Sequence, residues 1–281
     1  MKTISLAALC LLGFVSSSVA TQTSDSAAKP HDPERIDLVY AVYAGGFHVL
    51  DAQAYQVRDG NRYHIGAGAR TEGFLSWLFD WEGKASSTGH LDNTTRAVPV
   101  RHENWGLYNG SERLTAVDYN GSGTVASVVR EPEPNWDKYF ALPDDAAVGT
   151  IDPLSVVAQV LAFVDSGGNC NGEHSVFDGK RRYELYTTDK GREVIPANDY
   201  SIYHGPALKC RIDYKMLGGN RKEVSDVARS ARNHDIWLAT VLEDTSPLPV
   251  RVQVETSFGI IVGHLTEVRQ GDRKISLDTG S

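Results

Sequence analysis

Residues 47–67 read FHVLDAQAYQVRDGNRYHIGA, and this stretch gives the clearest indication of the fold class. Apolar residues alternate loosely with polar ones up to Asp59-Gly60, and the alternation resumes at Tyr63, Ile65 and Ala67. An Asp-Gly pair between two alternating segments is typical of a β-hairpin, because glycine accepts the positive φ that such a turn needs. The stretch therefore predicts two antiparallel strands joined by a tight turn.

The same turn signal recurs along the chain, and further alternating segments flank it. Short connections favour antiparallel pairing, because parallel neighbours need long crossovers. We expect roughly a dozen strands in a mainly antiparallel, strongly curved sheet or open β-barrel. The further signals are Asn109-Gly110, Asn120-Gly121, Asp178-Gly179, Lys190-Gly191 and Gly271-Asp272, and the clearest other strands are residues 36–44, 236–242, 250–258 and 260–268.

One segment is helical in pattern. Asp152 suits a helix N-cap and Pro153 suits the first turn. The apolar residues that follow recur with helical spacing, which places them on one face. The pattern predicts a helix over about 153–164 that either covers one opening of the curved sheet or simply packs on it. These apolar residues are Leu154, Val157, Ala158, Leu161 and Ala162.

The N-terminus has the three parts of a secretory signal peptide. Lys2 gives a positive start, a short apolar run follows, and small residues lead to Ala20. We expect cleavage after Ala20, with an uncleaved anchor as the alternative; the run is too short for a mature membrane span of roughly 20 residues. Residues 21–34 are polar and predict a disordered lead-in. No linker interrupts residues 35–278, which we interpret as one β-rich domain.

The charge of the chain argues against nucleic-acid binding. The full sequence has 28 basic and 36 acidic residues, and removal of residues 1–20 takes away only Lys2. The mature chain therefore has 27 basic against 36 acidic residues, a net charge of −9. A strongly basic surface is absent on average. Residues 209–232 are locally positive and form either a solvated face or a contact for an anionic headgroup.

Two cysteines remain in the mature chain, Cys170 and Cys210. In an oxidising compartment such a pair usually forms a disulfide. It would close a loop of about 40 residues and stabilise the fold by roughly 4 kcal/mol. Two buried free thiols are the alternative. Neither cysteine has the neighbours of a metal site, so we expect no metal.

Several phrases, in order along the chain, resemble a bacterial exported family known only as a domain of unknown function, DUF3108. The resemblance covers about residues 36–269. It implies an exported β-sheet protein with no catalytic residues to carry over, and we predict a periplasmic location. The phrases are YAGGF (43–47), RTEGFLSWL (70–78), DPL (152–154), VFDGKRRY (176–183), PLPVR (247–251) and TSFG (256–259).

Residues 74–81 are the most apolar stretch after the signal peptide. They contain more aromatic and aliphatic bulk than one half-buried strand face can use. Core packing is one interpretation. The other is an apolar lip or wall that contacts a ligand or a protein partner, for which tryptophan is well suited. The candidate residues are Phe74, Trp77, Leu78, Phe79 and Trp81.

A basic phrase follows the Asp178-Gly179 turn. Strand alternation places Arg181 and Tyr183 on one face and Arg182 on the other. An arginine that points into the fold needs a carboxylate or an anionic ligand. Internal salt bridges and anion binding are therefore the two interpretations of Arg181 and Arg182.

The sequence contains no nucleophile elbow, dinucleotide fingerprint or phosphate loop. Its nine histidines are scattered, and we expect no cofactor. The leading hypothesis is a non-enzymatic periplasmic envelope protein that binds a lipid or another apolar molecule. A scaffold that binds an envelope protein is the alternative. The third is an unrecognised hydrolase, which requires a serine or aspartate beside a histidine in a cleft.

Overall fold

The computed structural model describes residues 34–73, 76, 80–223, 229–257 and 259–277. They form one large antiparallel sheet that curls around the helix α1 (Pro153–Asp165), which confirms the predicted fold class. The strands are β1 (Glu34–Ala44), β2 (Phe47–Asp59), β3 (Arg62–Thr71), β4 (Trp81–Leu91), β5 (Ala97–Tyr108), β6 (Ser111–Tyr119), β7 (Val125–Glu131), β8 (Gly172–Phe177), β9 (Arg182–Ile195), β10 (Gly205–Gly218), β11 (Arg232–Ala239), β12 (Leu248–Thr256), β13 (Gly259–Gln270) and β14 (Arg273–Ser276).

The predicted signal peptide and its cleavage after Ala20 lie outside the described residues. So does the predicted lead-in, except for Glu34, its last residue, which already begins β1. None of the helical segments in the described ranges has the length and apolar character that a membrane crossing needs.

The strand order follows the chain in two runs. Strands β1 to β7 each pair with the next strand along the chain, and so do β8 to β13. The two runs meet where β1 pairs with β13, with Asp37 opposite Arg269 and Tyr40 opposite Leu265. The sheet is therefore two meanders joined side by side, and β14 adds to β13 as a short extra strand.

Five of the six predicted turn signals join neighbouring strands, and Lys190-Gly191 does not. That pair lies inside β9, so the predicted turn was wrong. Between the pairs Arg192–Leu208 and Asp189–Cys210, β9 has two residues where β10 has one. This arrangement is a β-bulge, and its glycine has a φ of 82°. A bulge and a hairpin both use glycine at positive φ, so the local sequence looks the same.

The helix α1 begins where the sequence predicts. The Asp152 carboxylate accepts a hydrogen bond from the Ser155 amide at 2.9 Å, and Pro153 occupies the first turn. The helix packs against both runs of strands. Ala158 and Ala162 contact the core of β3, whereas Leu161 packs with residues of β10 and β11. The helix thus lies on the concave side of the sheet and fills one part of its interior.

Residues 132–152 connect β7 to α1 and pair at single positions with two other parts of the chain. Tyr139 pairs with Arg221 beyond β10, and Ile151 pairs with Val176 of β8. The Arg130 side chain of β7 also donates to the Gly179 carbonyl at 2.6 Å.

The predicted disulfide is present. Cys170 and Cys210 are joined with an S–S distance of 2.04 Å, and both are buried. The bond ties the segment that follows α1 to β10. It therefore fixes the end of the helix against the second run of strands.

Candidate functional site

Two rows of small residues cross the concave face of β2 to β5. In the first row, Ala54 is opposite Ala67 and Ala67 is opposite Ala85. Cross-strand partners share one face of a sheet, so these methyl groups point to the same side as α1. The second row lies one step along the strands and consists of Ala52, Ala69, Gly83 and Gly106.

An open cavity of about 590 Å³ lies in front of these rows. Its lining is mainly apolar, and it is bounded by the small residues, by α1 and by the facing strands β11 to β13. Ala67 lines this cavity and is exposed. The larger apolar side chains around the cavity are Tyr40, Val42, Leu154, Val157, Leu161, Ile236, Val252, Val254 and Ile261.

One residue of the predicted aromatic stretch lies at this cavity. Trp81 lines it and lies against Gly83, where an added Cβ would come within 2.9 Å of the indole. A side chain at position 83 would therefore push Trp81 off this surface. The candidates Phe74, Trp77, Leu78 and Phe79 lie outside the described residues.

The predicted basic phrase has internal partners. The Arg181 guanidinium Nε is 2.7 Å from Asp178, and the Arg182 guanidinium is 2.6 Å from Glu184. Tyr183 faces the other way from Arg182 and packs in the core beside α1. Both arginines thus have a carboxylate partner, but only Arg182 is largely buried, and Arg181 is exposed.

A serine, a histidine and an aspartate meet at the start of α1. Ser87 donates to Asp152 and lies 2.8 Å from Nδ1 of His102. The same Nδ1 is 3.4 Å from the Asp152 carboxylate. Ser155 also donates to Asp152, and the Tyr63 hydroxyl lies 2.7 Å from the Ser155 hydroxyl. All five side chains are buried.

This cluster does not have the geometry of a hydrolase. In an acyl-transfer triad the serine bonds one ring nitrogen and the carboxylate the other. Here Ser87 and Asp152 both approach Nδ1, and Nε2 of His102 has no partner among the described residues. The exposed fraction of all three side chains is 1% or less, so no substrate reaches them. The cluster anchors the N-terminus of α1 in the sheet.

The sequence contains a signal for the cavity that our reading did not use. Small residues alternate with larger ones at Ala52-Gln53-Ala54 and Gly83-Lys84-Ala85, and Gly66-Ala67-Gly68-Ala69 consists of small residues throughout. Alternation places every second residue on one face. Three neighbouring strands with a small residue at alternate positions indicate a face that is not filled. In the described ranges, no group of three or more His, Cys, Asp or Glu side chains is placed to hold a metal ion.

Comparison with known proteins gives a family and a structural likeness. Residues 39–266 match the family described as Protein of unknown function (DUF3108). No curated protein matches the chain. Among solved structures, the chain is similar to a beta-barrel-like protein of domain of unknown function DUF1849 from Brucella abortus. That match is 10% identical, covers 85% of this chain and 98% of the other, and has a TM-score of 0.44.

Proposed function

Since the chain belongs to the DUF3108 family, whose description assigns no activity, we propose its function from the site itself. The protein binds a lipid or another apolar ligand in the cavity between the small-residue rows and α1. It does so as a non-enzymatic protein of the periplasm.

The open apolar cavity is the observation that supports this proposal. Protein interiors are normally filled, and each buried methylene contributes about 0.8 kcal/mol. Larger side chains at Ala54, Ala67 and Ala85 would fill the space and add to stability. The chain instead keeps seven alanine or glycine positions in front of it. Such a space suits a ligand that brings its own apolar surface.

The far side of the cavity is held firmly. Leu154, Val157 and Leu161 of α1 form this side, and the helix is fixed at its start by Asp152. At its end, the Cys170–Cys210 disulfide ties the following segment to β10. A site that is already formed before binding loses less free energy to ordering when the ligand arrives.

A series of neutral amphiphiles tests the proposal. Octyl, decyl and dodecyl maltoside share one headgroup and differ only in alkyl length, and isothermal titration calorimetry below their micellar concentrations measures each dissociation constant. We expect each added methylene to strengthen binding by about 0.8 kcal/mol, a factor of roughly four, until the chain fills the cavity. Affinity that is absent, or independent of chain length, would contradict the proposal.

The periplasmic location is tested separately. The predicted signal peptide and the disulfide support it, because disulfides persist in oxidising compartments. Fractionation of cells that express the full chain with a C-terminal tag should place the protein in the periplasm. Mass spectrometry should find a mature N-terminus at Thr21. A cytosolic protein that retains Met1 would refute the location.

A further inference from the structure

The second row of small residues ends next to a basic side chain, that of Arg113. Gly106 lines the cavity, and its partner across the β5–β6 pair is Arg113. Partners of this kind lie about 5 Å apart and share one face. Arg113 therefore follows the apolar surface directly, on the same concave face, and its side chain is exposed.

Arg113 belongs to a group of three cations around Tyr139. The Lys180 ammonium donates to the Tyr139 hydroxyl at 2.9 Å and lies 4.3 Å from the centre of its ring. Burial acts to raise the pKa of Tyr139, but Lys180, Arg221 and Arg113 outweigh it and bring that pKa below its ordinary value. The three cations thus favour negative charge at this hydroxyl.

Among the residues that the structure describes, these cations have no carboxylate partner. In the ranges that the structure covers, no Asp or Glu side chain lies within 4.0 Å of the charged groups of Arg113, Lys180 or Arg221, although other basic residues have such partners. The nearby Asp178 is buried and already bound to Arg181. This is unusual for a chain with a net charge of −8.

Arg113 and Arg221 are exposed and solvated, whereas Lys180 is more enclosed. Tyr139 is 6% exposed, and Lys180 is half-buried against it. Charge held in partly desolvated surroundings without a counter-charge is unfavourable for the protein alone. An anion placed there would gain charge-assisted hydrogen bonds, and the planar guanidinium of Arg113 suits a carboxylate or a phosphate.

We infer that the ligand of the cavity is an anionic amphiphile, whose alkyl chain lies over the small-residue rows and whose carboxylate or phosphate is bound by Arg113 and Lys180. This inference rests on the proposed function. It adds the charge of the headgroup and names the residues that bind it.

Ligands that share a dodecyl chain and differ in headgroup test whether the site prefers a negatively charged headgroup. Calorimetry on the mature protein compares dodecanoate, dodecyl phosphate, dodecyl maltoside and inorganic phosphate. Charged hydrogen bonds are strong enough that both anionic ligands should bind at least roughly tenfold more tightly than the maltoside. Inorganic phosphate should bind far more weakly than dodecyl phosphate. Equal binding of the two phosphates would show a site for the free anion and overturn the inference.

Two variants test whether Arg113 and Lys180 cause the tighter binding of anionic ligands. Arg113→Gln and Lys180→Gln should each weaken dodecanoate and dodecyl phosphate by about tenfold while leaving dodecyl maltoside unchanged. Arg62→Gln is the matched control, because Arg62 is exposed and faces away from the cavity. Arg113 is exposed, so its variant should fold, as a thermal melt will show.

The outcomes separate the two proposals. If the wild type binds all dodecyl ligands equally and neither variant changes this, the headgroup inference is wrong and the apolar site stands. If no dodecyl ligand binds, the proposed function itself is wrong, and the headgroup inference fails with it.

Discussion

Ala67→Leu is the sharpest test of where the ligand lies. Ala67 is the central residue of its row, between Ala54 and Ala85, and its methyl group faces about 590 Å³ of open space. Leucine adds three carbons there without displacing a neighbour. The variant should therefore fold and melt at the wild-type temperature or slightly higher, because the added carbons bury apolar surface.

The same three carbons occupy space that the ligand would use. At about 0.8 kcal/mol for each methylene, the loss of three ligand contacts costs about 2.4 kcal/mol, or a factor of roughly 60 in the dissociation constant. Calorimetry with dodecyl maltoside measures this change in the dissociation constant. Octyl maltoside should lose less, because a shorter chain can avoid the new side chain.

Ala126→Leu provides the control. Ala126 is exposed on β7 and does not line the cavity, so the same addition should leave binding unchanged. If Ala67→Leu is stable and binds dodecyl maltoside as tightly as the wild type, the ligand does not lie over the small-residue rows. If the variant unfolds, Ala67 does not face open space.

Three further predictions concern the scaffold. Replacing Cys170 and Cys210 by alanine should lower the free energy of unfolding by about 4 kcal/mol for a 40-residue separation, measured in urea; a loss below about 1 kcal/mol would contradict it. Asp152→Ala removes a cap and the acceptor of buried hydroxyls, and should cost about 2–4 kcal/mol, with Asp152→Asn milder. Burial and the nearby Arg251 lower the pKa of His264 in the folded state, so on acidification the unfolded state is protonated at this residue first. The free energy of unfolding should therefore fall from about pH 7 to about pH 5, and His264→Phe should flatten that slope.

The fold class could be predicted because its signals are local. Alternation and turn residues such as Asp59-Gly60 lie within a few residues of each other, and they specify antiparallel neighbours. The Lys190-Gly191 error has the same origin, since a bulge and a hairpin use one backbone conformation. The helix was predicted closely because its cap, proline and apolar spacing are also local.

The site was predicted only in part because it depends on register. Trp81 was a candidate and lines the cavity, but the small residues were not. A shift of one residue in the pairing of β2 with β3 would turn Ala54 or Ala67 to the other face. Arg113 has no local signal at all. Its proposed role depends on Gly106 beside it and on Lys180, which also acts on Tyr139 and lies 67 residues further along the chain.

The joining of two meanders at β1 and β13 has a consequence for assembly. Within each meander a strand pairs with its neighbour in sequence, whereas Asp37 and Arg269 lie more than 200 residues apart. Local pairings form quickly, so we expect the β1–β13 junction to form last. A chain cleaved between residues 132 and 150 keeps every strand whole. The two fragments should complement one another when mixed, and the interior would be accessible to a bulky ligand until they do.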